Sequence, residues 1–555
     1  MDFKEVLAGC LNTALGQEIV KKTDIETPPE EKMGDFAFPC FKLSKTLRKA
    51  PPAIAADIAE KLVLPDFIDH TEIAGGYLNF YADKNALCMD MLTSALSDEQ
   101  PFKKRDETVI IEYSSPNIAK PFHIGHLCST VIGDSLSRIY KTLGYDIVRI
   151  NYLGDYGTQF GKLIAAYKHW GDEQALEQDP IVELFRIYVK FHEEAEKDPA
   201  LEDEGRMYFK NLEQGNAEEV ALWERFKKLS LEKFSEIYNR LGVEFDSYAG
   251  ESFYSDKMDA VVEELKEKGL LTLSDGAQVV DLEAYNMPPC IILKSDGATI
   301  YATRDIAAAL YRKKTYNFAK CLYVVGLPQA LHFSQFFKVL ELMGYEWSRD
   351  CRHVGFAHVK FPDGKMSTRG GKVVFLEDVL DEAVRRAREK MEESENTKPD
   401  NIDDASEKVG IGAMKFAFLK SSREREILFS WEETLDFNGE SGPYVQYTYA
   451  RAKSILRKCG TAGALSQGDF CREEESVLKT IDGFSQAVLE AAEKNEPSVI
   501  ARYVCTLAKA FNRFYNACPV AGSAQQEQRC AIVEATAKTI QKSLSLLGIE
   551  SLEKM

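Results

Sequence analysis

The sequence predicts an α/β fold in which a parallel-sheet region lies between a small α/β module and an all-helical region. Three observations support this prediction. A β-α-β pattern begins at Thr108, an acidic helical stretch follows over about residues 170–269, and helical patterning alone continues from Asp436. At 555 residues the chain is too long for one hydrophobic core, and we expect about three or four domains.

Residues 1–96 are predicted to form the small α/β module. The stretch PPAIAADIAEKLV has a proline start and helical apolar spacing, and GYLNFYAD alternates as a strand does. Residues 97–107 are polar and include a proline, which is typical of a linker.

The parallel-sheet region is predicted over residues 107–435. TVIIEY is a short strand of the buried type, CSTVIGDSLSRIYKTLG has helical spacing closed by Gly144, and DIVRINYLGD is the next strand; together they make a β-α-β unit. The acidic stretch reads as a helical insertion, because Ile181, Leu184, Tyr188 and Phe191 share one helical face. Strands return in AQVVDL, CIILKSD and CLYVVG.

Residues 391–408 are expected to form a charged loop, and residues 436–555 an all-helical domain. Two apolar stripes support the helical prediction. One stripe contains Val504, Leu507, Ala508, Phe511, Phe514 and Tyr515. The other is stopped by Gly548 and contains Val533, Ala537, Ile540, Leu544 and Leu547.

Composition and charge argue against several classes of protein. No apolar run approaches the roughly 20 residues needed to span a bilayer, and the acidic N-terminal stretch is unlike a secretory signal. The twelve cysteines include no C-x-x-C pair, so we expect no metal site and no disulfide framework. Scattered free thiols are typical of a cytoplasmic protein. The net charge of −19 argues against nucleic-acid binding through the overall field, but local basic patches remain compatible with it.

A first motif, SSPNIAKPFHIGHL, follows the strand TVIIEY and leads into a helix. A helix that starts after a strand of a parallel sheet offers free N–H groups and a partial positive charge, which suit a phosphate. Gly125 would let a nucleotide lie against the backbone, and His123 and His126 can donate hydrogen bonds to phosphate oxygens. The alternative, which spacing alone favours, is that the histidines only cap the helix and pack.

A second motif, DGKMSTRGGK, is glycine-rich and basic. It could close over a triphosphate with Lys365 as a mobile cation. Taken alone, it is more typical of an ordinary exposed turn.

Taken in this order, the two motifs resemble the HIGH and KMSKS signatures of class I aminoacyl-tRNA synthetases. Further stretches resemble the arginyl-tRNA synthetase family in particular, and this resemblance covers nearly the whole chain. They are NYLGDYGTQFG, GESFY, KSDGATIYATRDIAAALYR, MSTRGGKVVFLEDVLDEA and GPYVQYTYARAKSILRK. The resemblance implies a Rossmann-like catalytic domain with an N-terminal tRNA-binding domain and a helical anticodon-binding domain, in a monomer. It implies activation of L-arginine by ATP, with Mg²⁺ carried by the nucleotide, and transfer of arginine to the terminal adenosine of its tRNA.

The resemblance also implies roles for particular residues. ATP would contact His123, Gly125, His126, Lys365, Met366 and Ser367, and catalysis would involve His123, His126, Lys365 and Lys120. Arginine would be held by Glu112, Asn117, Tyr301, Asp305 and Gln329, and tRNA by Tyr77 and Asn79. Structural alternatives remain: Asp305 could pair with Arg304 or cap its helix, Tyr301 could be core, and Tyr77 could simply lie on one strand face.

Three positions depart from the family's pattern. Thr368 stands where a second KMSKS lysine is usual, and Lys120 and Arg369 are the candidate substitutes. Cys128 stands where an arginine is usual, and Pro328 precedes Gln329 in a turn that is usually written GADQ.

Three rival functions are weighed against this resemblance. The first is a synthetase for another amino acid; the acids Glu112 and Asp305, and the lack of zinc-ligand spacing, argue against the cysteinyl type. A nucleotidyltransferase with an HxGH motif is usually far smaller and lacks a helical C-terminal domain. A catalytically dead paralogue is disfavoured because His123, Gly125, His126 and Lys365 are intact.

Overall fold

The computed structural model describes residues 3–28, 30–97, 102–118, 120–360, 375–393, 399–460 and 468–555. The chain divides into two compact units. One contains Met1–Glu99, Arg451–Phe484 and Thr506–Ile540, and the other contains Gln100–Ala450, Ser485–Cys505 and Gln541–Met555. Among the described residues, no helix is long and apolar enough to cross a membrane.

The first unit begins with an antiparallel sheet and the helices beside it. The elements are α1 (Phe3–Leu15), β1 (Phe36–Pro39), α2 (Ser44–Leu47), α3 (Pro51–Lys61), β2 (Ile68–Ala74), β3 (Tyr77–Ala82) and α4 (Lys84–Leu96), and the strand order is β1-β3-β2. Proline opens α3, where its missing N–H has no helical partner, and the Asp83 side chain caps α4 by accepting from Ala86 N. Their shared core includes Leu7, Leu11, Phe38, Ile54 and Phe80.

The second unit begins with the predicted β-α-β unit. β4 (Thr108–Glu112) pairs in parallel with β5 (Asp146–Ile150), and α5 (Ile124–Thr142) connects them. The inserted helices follow as α6 (Thr158–Trp170), α7 (Glu173–Gln178), α8 (Pro180–Ala195), α9 (Ala200–Glu213), α10 (Ala217–Arg240) and α11 (Met258–Glu267). On the predicted face of α8, Tyr188 is half-buried, and the buried members are Ile181, Leu184 and Phe191.

A small antiparallel sheet interrupts the parallel one. It consists of β6 (Leu271–Ser274), β7 (Ala277–Val280) and β8 (Cys290–Leu293), so AQVVDL and CIILKSD are strands of this separate sheet. The chain then returns through α12 (Tyr301–Tyr316), β9 (Lys320–Tyr323), α13 (Ala330–Leu342) and β10 (Cys351–His353). The parallel sheet has the order β10-β9-β4-β5, so the direction of winding reverses between β4 and β9. In open α/β sheets, ligands bind at the carboxyl ends of the strands at such a switch point.

The remaining elements are mainly helical. They are β11 (Val359–Lys360), α14 (Leu376–Glu393), α15 (Ile402–Leu419), β12 (Ile427–Leu428), α16 (Trp431–Thr434), α17 (Gly442–Cys459), α18 (Arg472–Asp482), α19 (Phe484–Lys494), α20 (Ser498–Ala517) and α21 (Gln526–Leu546). The short strands β11 and β12 pair in parallel. Gly548, with φ of +67°, follows α21 as predicted.

Two details differ from the sequence prediction. α14 continues to Glu393 and α15 already begins at Ile402, so the loop expected over 391–408 is shorter. α15 starts early because the Asn401 side chain accepts hydrogen bonds from two backbone N–H groups of its first turn. The apolar stripes of the last two helices are buried except for Tyr515, which is 40% exposed and lies beside the guanidinium of Arg451.

Candidate active site at the switch point of the parallel sheet

The exit from β4 is strained and is held in place by hydrogen bonds. Ser114 and Ser115 have φ of 70° and 49°, a left-handed conformation that costs a non-glycine residue about 1–2 kcal/mol. Ser114 N donates to Ser129 Oγ at 3.0 Å, and Ser114 Oγ lies 2.8 Å from the Tyr238 hydroxyl. Ser115 N donates to Asn151 Oδ1 at 3.1 Å. Strain that the surrounding structure maintains in this way is typical of functional sites.

His123 and His126 cap α5 and stack on each other. His123 Nδ1 accepts from Gly125 N at 3.1 Å, and His126 Nδ1 accepts from His123 N at 3.1 Å. The two ring centroids are 3.9 Å apart. A Cβ at position 125 would lie 2.9 Å from the His123 ring, so this cap needs glycine. Both histidines thus cap the helix, and this role involves only one nitrogen of each ring.

The same hydrogen bonds determine the tautomer of each ring, because Nδ1 accepts from the backbone and the proton is therefore carried by Nε2. Burial lowers the pKa of His123, and burial together with the neighbouring His123 lowers the pKa of His126 to about 3. Both rings are therefore neutral near pH 7. Because a neutral imidazole that accepts through Nδ1 carries its proton on Nε2, each ring is a donor at Nε2.

The structure describes the chain again from Phe375, after the second motif, and Phe375 lies beside the first motif. Three predicted ATP contacts lie outside the described residues, namely Lys365, Met366 and Ser367. Phe375, the first described residue after them, forms an antiparallel backbone bridge with His123, and Leu376 N donates to Phe122 O at 2.8 Å. The start of α14 thus lies next to the histidines of the first motif.

Two other residues of this region were singled out from the sequence. The amine of Lys120 lies 5.5 Å from the ring centroid of Tyr188 in α8, within cation–π range. Cys128 is buried in α5, and burial raises the pKa of its thiol to about 12. This position is therefore uncharged.

β4 ends in Glu112, whose carboxylate is buried with the guanidinium of Arg312. The two side chains are 6% and 0% exposed, and Arg312 Nη2 lies 2.5 Å from Glu112 Oε2. The guanidinium carbon also lies 5.3, 5.9 and 5.5 Å from the ring centroids of Tyr152, Tyr254 and Tyr323. Burial raises the pKa of Glu112, and Arg312 acts in the opposite direction. The pair places a compensated carboxylate at the strand end, inside a cage of aromatic rings.

The start of α12 carries Tyr301 and Asp305. Asp305 Oδ2 lies 2.6 Å from His332 Nε2, and the His332 ring makes an edge contact with Tyr301 at 4.8 Å between centroids. Tyr301 is 53% exposed, so it is not a core residue. Gln329 is exposed and immediately precedes α13, the helix that carries His332. Three of the predicted arginine contacts therefore lie at the N-terminal ends of two neighbouring helices.

Charge compensation distinguishes Asp305 from the other carboxylates of the site. Arg304 pairs with Glu251 at 3.4 Å and not with Asp305. Burial raises the pKa of Glu251 to about 7, with Arg304 opposing the shift and Asp305 adding to it. Glu112 and Glu251 thus each have an arginine partner, whereas the partner of Asp305 is the imidazole of His332. Asp305 is therefore the carboxylate best suited to bind an incoming cation.

Asn117, which follows β4, lies against the chain that leaves β5. Asn117 and Gly154 form a parallel backbone bridge, and Ile118 N donates to Gly154 O at 3.1 Å. A Cβ at position 154 would lie 2.1 Å from Asn117 Oδ1. Glycine at this position lets the exposed Asn117 side chain remain at the strand ends.

The two predicted tRNA contacts lie on β3, in the first unit, and differ in exposure. Tyr77 is 38% exposed, and its ring makes an edge contact with the exposed ring of Phe41, at 5.4 Å between centroids. Asn79 is only 6% exposed. Tyr77 offers a ring on which a base could stack, whereas Asn79 does not offer an exposed amide, and both contacts stay predictions.

The sequence did not single out Arg312, His332 or the tyrosine cage. Arg312 follows Asp305 by two helical turns, a spacing that places both on one face of α12 and was the available signal. Tyr152 and Tyr323 come from two different strand ends, and no local pattern joins them. Their hydroxyls are buried and have no hydrogen-bond partner among the described residues.

Two neutral histidines at a helix start, placed at the switch point of a parallel sheet, are typical of a class I aminoacyl-tRNA synthetase. Family models agree with this class. Residues 90–431 match the catalytic domain of tRNA synthetases class I (R), residues 445–555 match the DALR anticodon binding domain, and residues 1–82 match the arginyl tRNA synthetase N terminal domain.

Individual relatives identify the family. The arginine–tRNA ligases of Clostridium acetobutylicum and Clostridium perfringens are 56% and 54% identical to this chain, over 100% of both chains in each case. The solved structure of Thermus thermophilus arginyl-tRNA synthetase matches with a TM-score of 0.82 at 28% identity, covering 100% of both chains. The chain belongs to the arginine–tRNA ligase family. The predicted class I fold, with its N-terminal and helical C-terminal domains, is confirmed, and the two rival enzyme classes are excluded.

Proposed function

We propose that the chain joins L-arginine to its tRNA at the switch point between β4 and β9, with Asp305 as the principal reader of the guanidinium. The observation that carries this assignment is the charge balance of the site. Glu112 and Glu251 already have arginine partners, so an arginine substrate finds its complementary charge at Asp305. Tyr301 and Gln329 border the same position and would supply further contacts to the planar, donor-rich guanidinium.

The other end of the substrate is assigned to Glu112 and Asn117. Glu112, whose charge is already balanced by Arg312, would accept a hydrogen bond from the α-ammonium group, while Asn117 at the exit of β4 would hydrogen-bond the carboxylate. Arg312 supports this role because its guanidinium favours the charged form of Glu112 despite burial. Substrate carboxylate and ATP would then meet in front of the helix start of α5.

ATP would bind at His123, Gly125 and His126, with Lys365, Met366 and Ser367 of the second motif closing over the phosphates. In the first step a carboxylate oxygen of arginine attacks the α-phosphorus, the bond to the β-phosphate oxygen breaks, and pyrophosphate leaves with the electron pair. The Nε2–H groups of the two histidines and the partial positive charge of the α5 N-terminus would stabilise the charge that develops on the phosphates. Lys120 would add a cation, and Mg²⁺ would arrive on the nucleotide, since this ion keeps phosphate and water ligands.

In the second step a ribose hydroxyl of the terminal adenosine attacks the carbonyl carbon of arginyl-adenylate, and AMP leaves. We assign tRNA contacts to residues 1–96, including Tyr77 and Asn79, catalysis to residues 107–435, and anticodon binding to residues 436–555. The chain would act as a cytoplasmic monomer. The twelve free thiols support a reducing compartment.

The Asp305→Asn variant tests the assignment of the pocket. Losing one charge-assisted partner of a fixed cation should cost about 2–5 kcal/mol, so the KM for arginine should rise by at least about 30-fold while the KM for ATP changes little. Asp256→Asn is the matched control, because Asp256 is exposed and pairs with the neighbouring Lys257. A KM for arginine within a few-fold of the wild-type value in Asp305→Asn would remove Asp305 from the pocket.

A further inference from the structure

A group of thiol and carboxylate donors lies in the helical region of the first unit, at residues with no assigned role in catalysis. Cys471 and Cys518 have their Sγ atoms 3.3 Å apart, and the carboxylate of Glu473 lies with them, so that all three ligand atoms are within 4.8 Å of one another. Over the ranges that the structure describes, this is the only group of three such donors at this spacing. No local sequence pattern indicates this group, because the two cysteines are 47 positions apart.

Each donor occupies the end of a structural element in the first unit. Cys471 is the N-cap of α18, Glu473 lies in the first turn of that helix, and Cys518 directly follows α20. Cys471 and Glu473 are partly exposed, whereas Cys518 is buried. A ligand could therefore enter from the side of Cys471 and Glu473, and the helix ends could adjust without disturbing the helix cores.

The neighbouring acids are already engaged, but Glu473 is not. Glu474 accepts from Cys471 N at 3.0 Å and pairs with Arg529 at 2.8 Å, and Glu475 pairs with Lys479 at 2.8 Å. Glu473 has no hydrogen-bond or ion-pair partner within the described part of the chain. Its carboxylate is thus free to act as a ligand.

The separation of the sulfurs fits a shared ion better than a disulfide. Two thiolates bound to a tetrahedral Zn²⁺ at about 2.3 Å lie about 3.8 Å apart. Bonded disulfide sulfurs lie only about 2.0 Å apart. The observed 3.3 Å is closer to the first value, and the third donor has no role in a disulfide.

We propose that Cys471, Glu473 and Cys518 form a binding site for one thiophilic divalent cation of the Zn²⁺ class. Binding would displace the two thiol protons to solvent and leave sulfur in its reduced state, with water in the fourth position. The ion would fasten the start of α18 to the end of α20 and stabilise the helical region by mass action.

The chain provides its own controls for the thiols and for the carboxylate. Cys530 is buried, and the Cys459 thiol beside it raises the pKa of Cys530, but no third donor joins this pair in the described ranges. Glu475 lies on the same helix turn as Glu473 but is held by Lys479. Cys530→Ser and Glu475→Gln should therefore leave ion binding unchanged.

Titration of the reduced full-length chain with Co²⁺, followed by displacement with Zn²⁺, tests the proposal. We expect one Co²⁺ per chain with thiolate-to-cobalt charge-transfer absorption, complete loss of this absorption in Cys518→Ser and in Cys471→Ser, and at least ten-fold weaker binding in Glu473→Gln. Zn²⁺ should raise the melting temperature of the wild type and of both control variants. Absence of the charge-transfer band, its persistence in either serine variant, or full affinity in Glu473→Gln would overturn the proposal. So would mass spectrometry that shows only a Cys471–Cys518 disulfide in place of a bound ion.

Discussion

Replacement of Arg312 by methionine should lower the free energy of unfolding of the catalytic region by about 3–5 kcal/mol, because it leaves Glu112 buried without its counter-charge. Arg312 is 0% exposed and Glu112 is 6% exposed, so water cannot take over the role of the lost guanidinium. With an effective dielectric constant of about 20, two unit charges about 4 Å apart attract each other by about 4 kcal/mol. Methionine keeps much of the apolar volume between the tyrosine rings, so the loss reports mainly on charge.

A double variant separates charge from packing. Glu112→Gln combined with Arg312→Met removes both charges, and should therefore be more stable than Arg312→Met alone by at least about 1.5 kcal/mol. Arg385→Met is the matched control, because Arg385 pairs with Glu382 on the surface and should change stability by less than about 1 kcal/mol. Urea unfolding, followed by circular dichroism and by tyrosine and tryptophan fluorescence, gives the free energy of unfolding of each of the three variants. The reasoning fails if Arg312→Met costs less than about 1 kcal/mol, or if the double variant is no more stable than the single one.

Three further predictions concern packing, pH and tRNA. Gly133→Ala should lower the free energy of unfolding by about 1–3 kcal/mol, since a Cβ there would lie 2.1 Å from the Tyr113 ring. In the control Gly9→Ala the added Cβ would meet nothing within 4 Å, so this variant should be neutral or stabilising. Thermal unfolding compares the two variants. Burial lowers the pKa of Lys415 to about 8, below its unfolded value of about 10.4, so the unfolded state binds more protons between these values. Stability should rise with pH over that window by up to about 3 kcal/mol, and Lys415→Met should remove this rise in urea melts at pH 7.5 and 10.5. Tyr77→Ala should raise the KM for tRNA in aminoacylation and leave the KM for arginine unchanged; an unaltered KM for tRNA would count against a stacking role for this ring.

The sequence predicted elements whose signals are local. The β4–α5–β5 unit, the helix α3 with its proline start and the apolar stripes of α20 and α21 all follow from periodicity and from end signals. The structure differs where tertiary contacts decide. Tyr515 shares the spacing of the α20 stripe but is 40% exposed beside Arg451, and β7 and β8 have strand patterns that cannot show which sheet they join.

The candidate site was predictable to the same extent. His123 and Asp305 belong to recognisable sequence motifs, so their position in the candidate site was expected. The partners of the two carboxylates Asp305 and Glu112 are supplied by the fold, because His332 reaches Asp305 from the next helix and Arg312 reaches Glu112 from α12. Spacing also could not show that His123 would both cap α5 and retain an outward N–H donor, since this depends on which ring nitrogen accepts from the backbone.

The claim that the chain attaches arginine to tRNA is tested by measuring aminoacylation with each of the twenty amino acids in turn. The purified chain, ATP and unfractionated tRNA are incubated with one labelled amino acid, and the label bound to tRNA is counted. We expect that arginine alone is attached to tRNA and that its attachment requires ATP. The Asp305→Asn variant should lose this activity at low arginine concentration and regain part of it at high arginine concentration. Attachment of another amino acid at a comparable rate, or attachment of arginine that is unaffected by Asp305→Asn, would contradict the account.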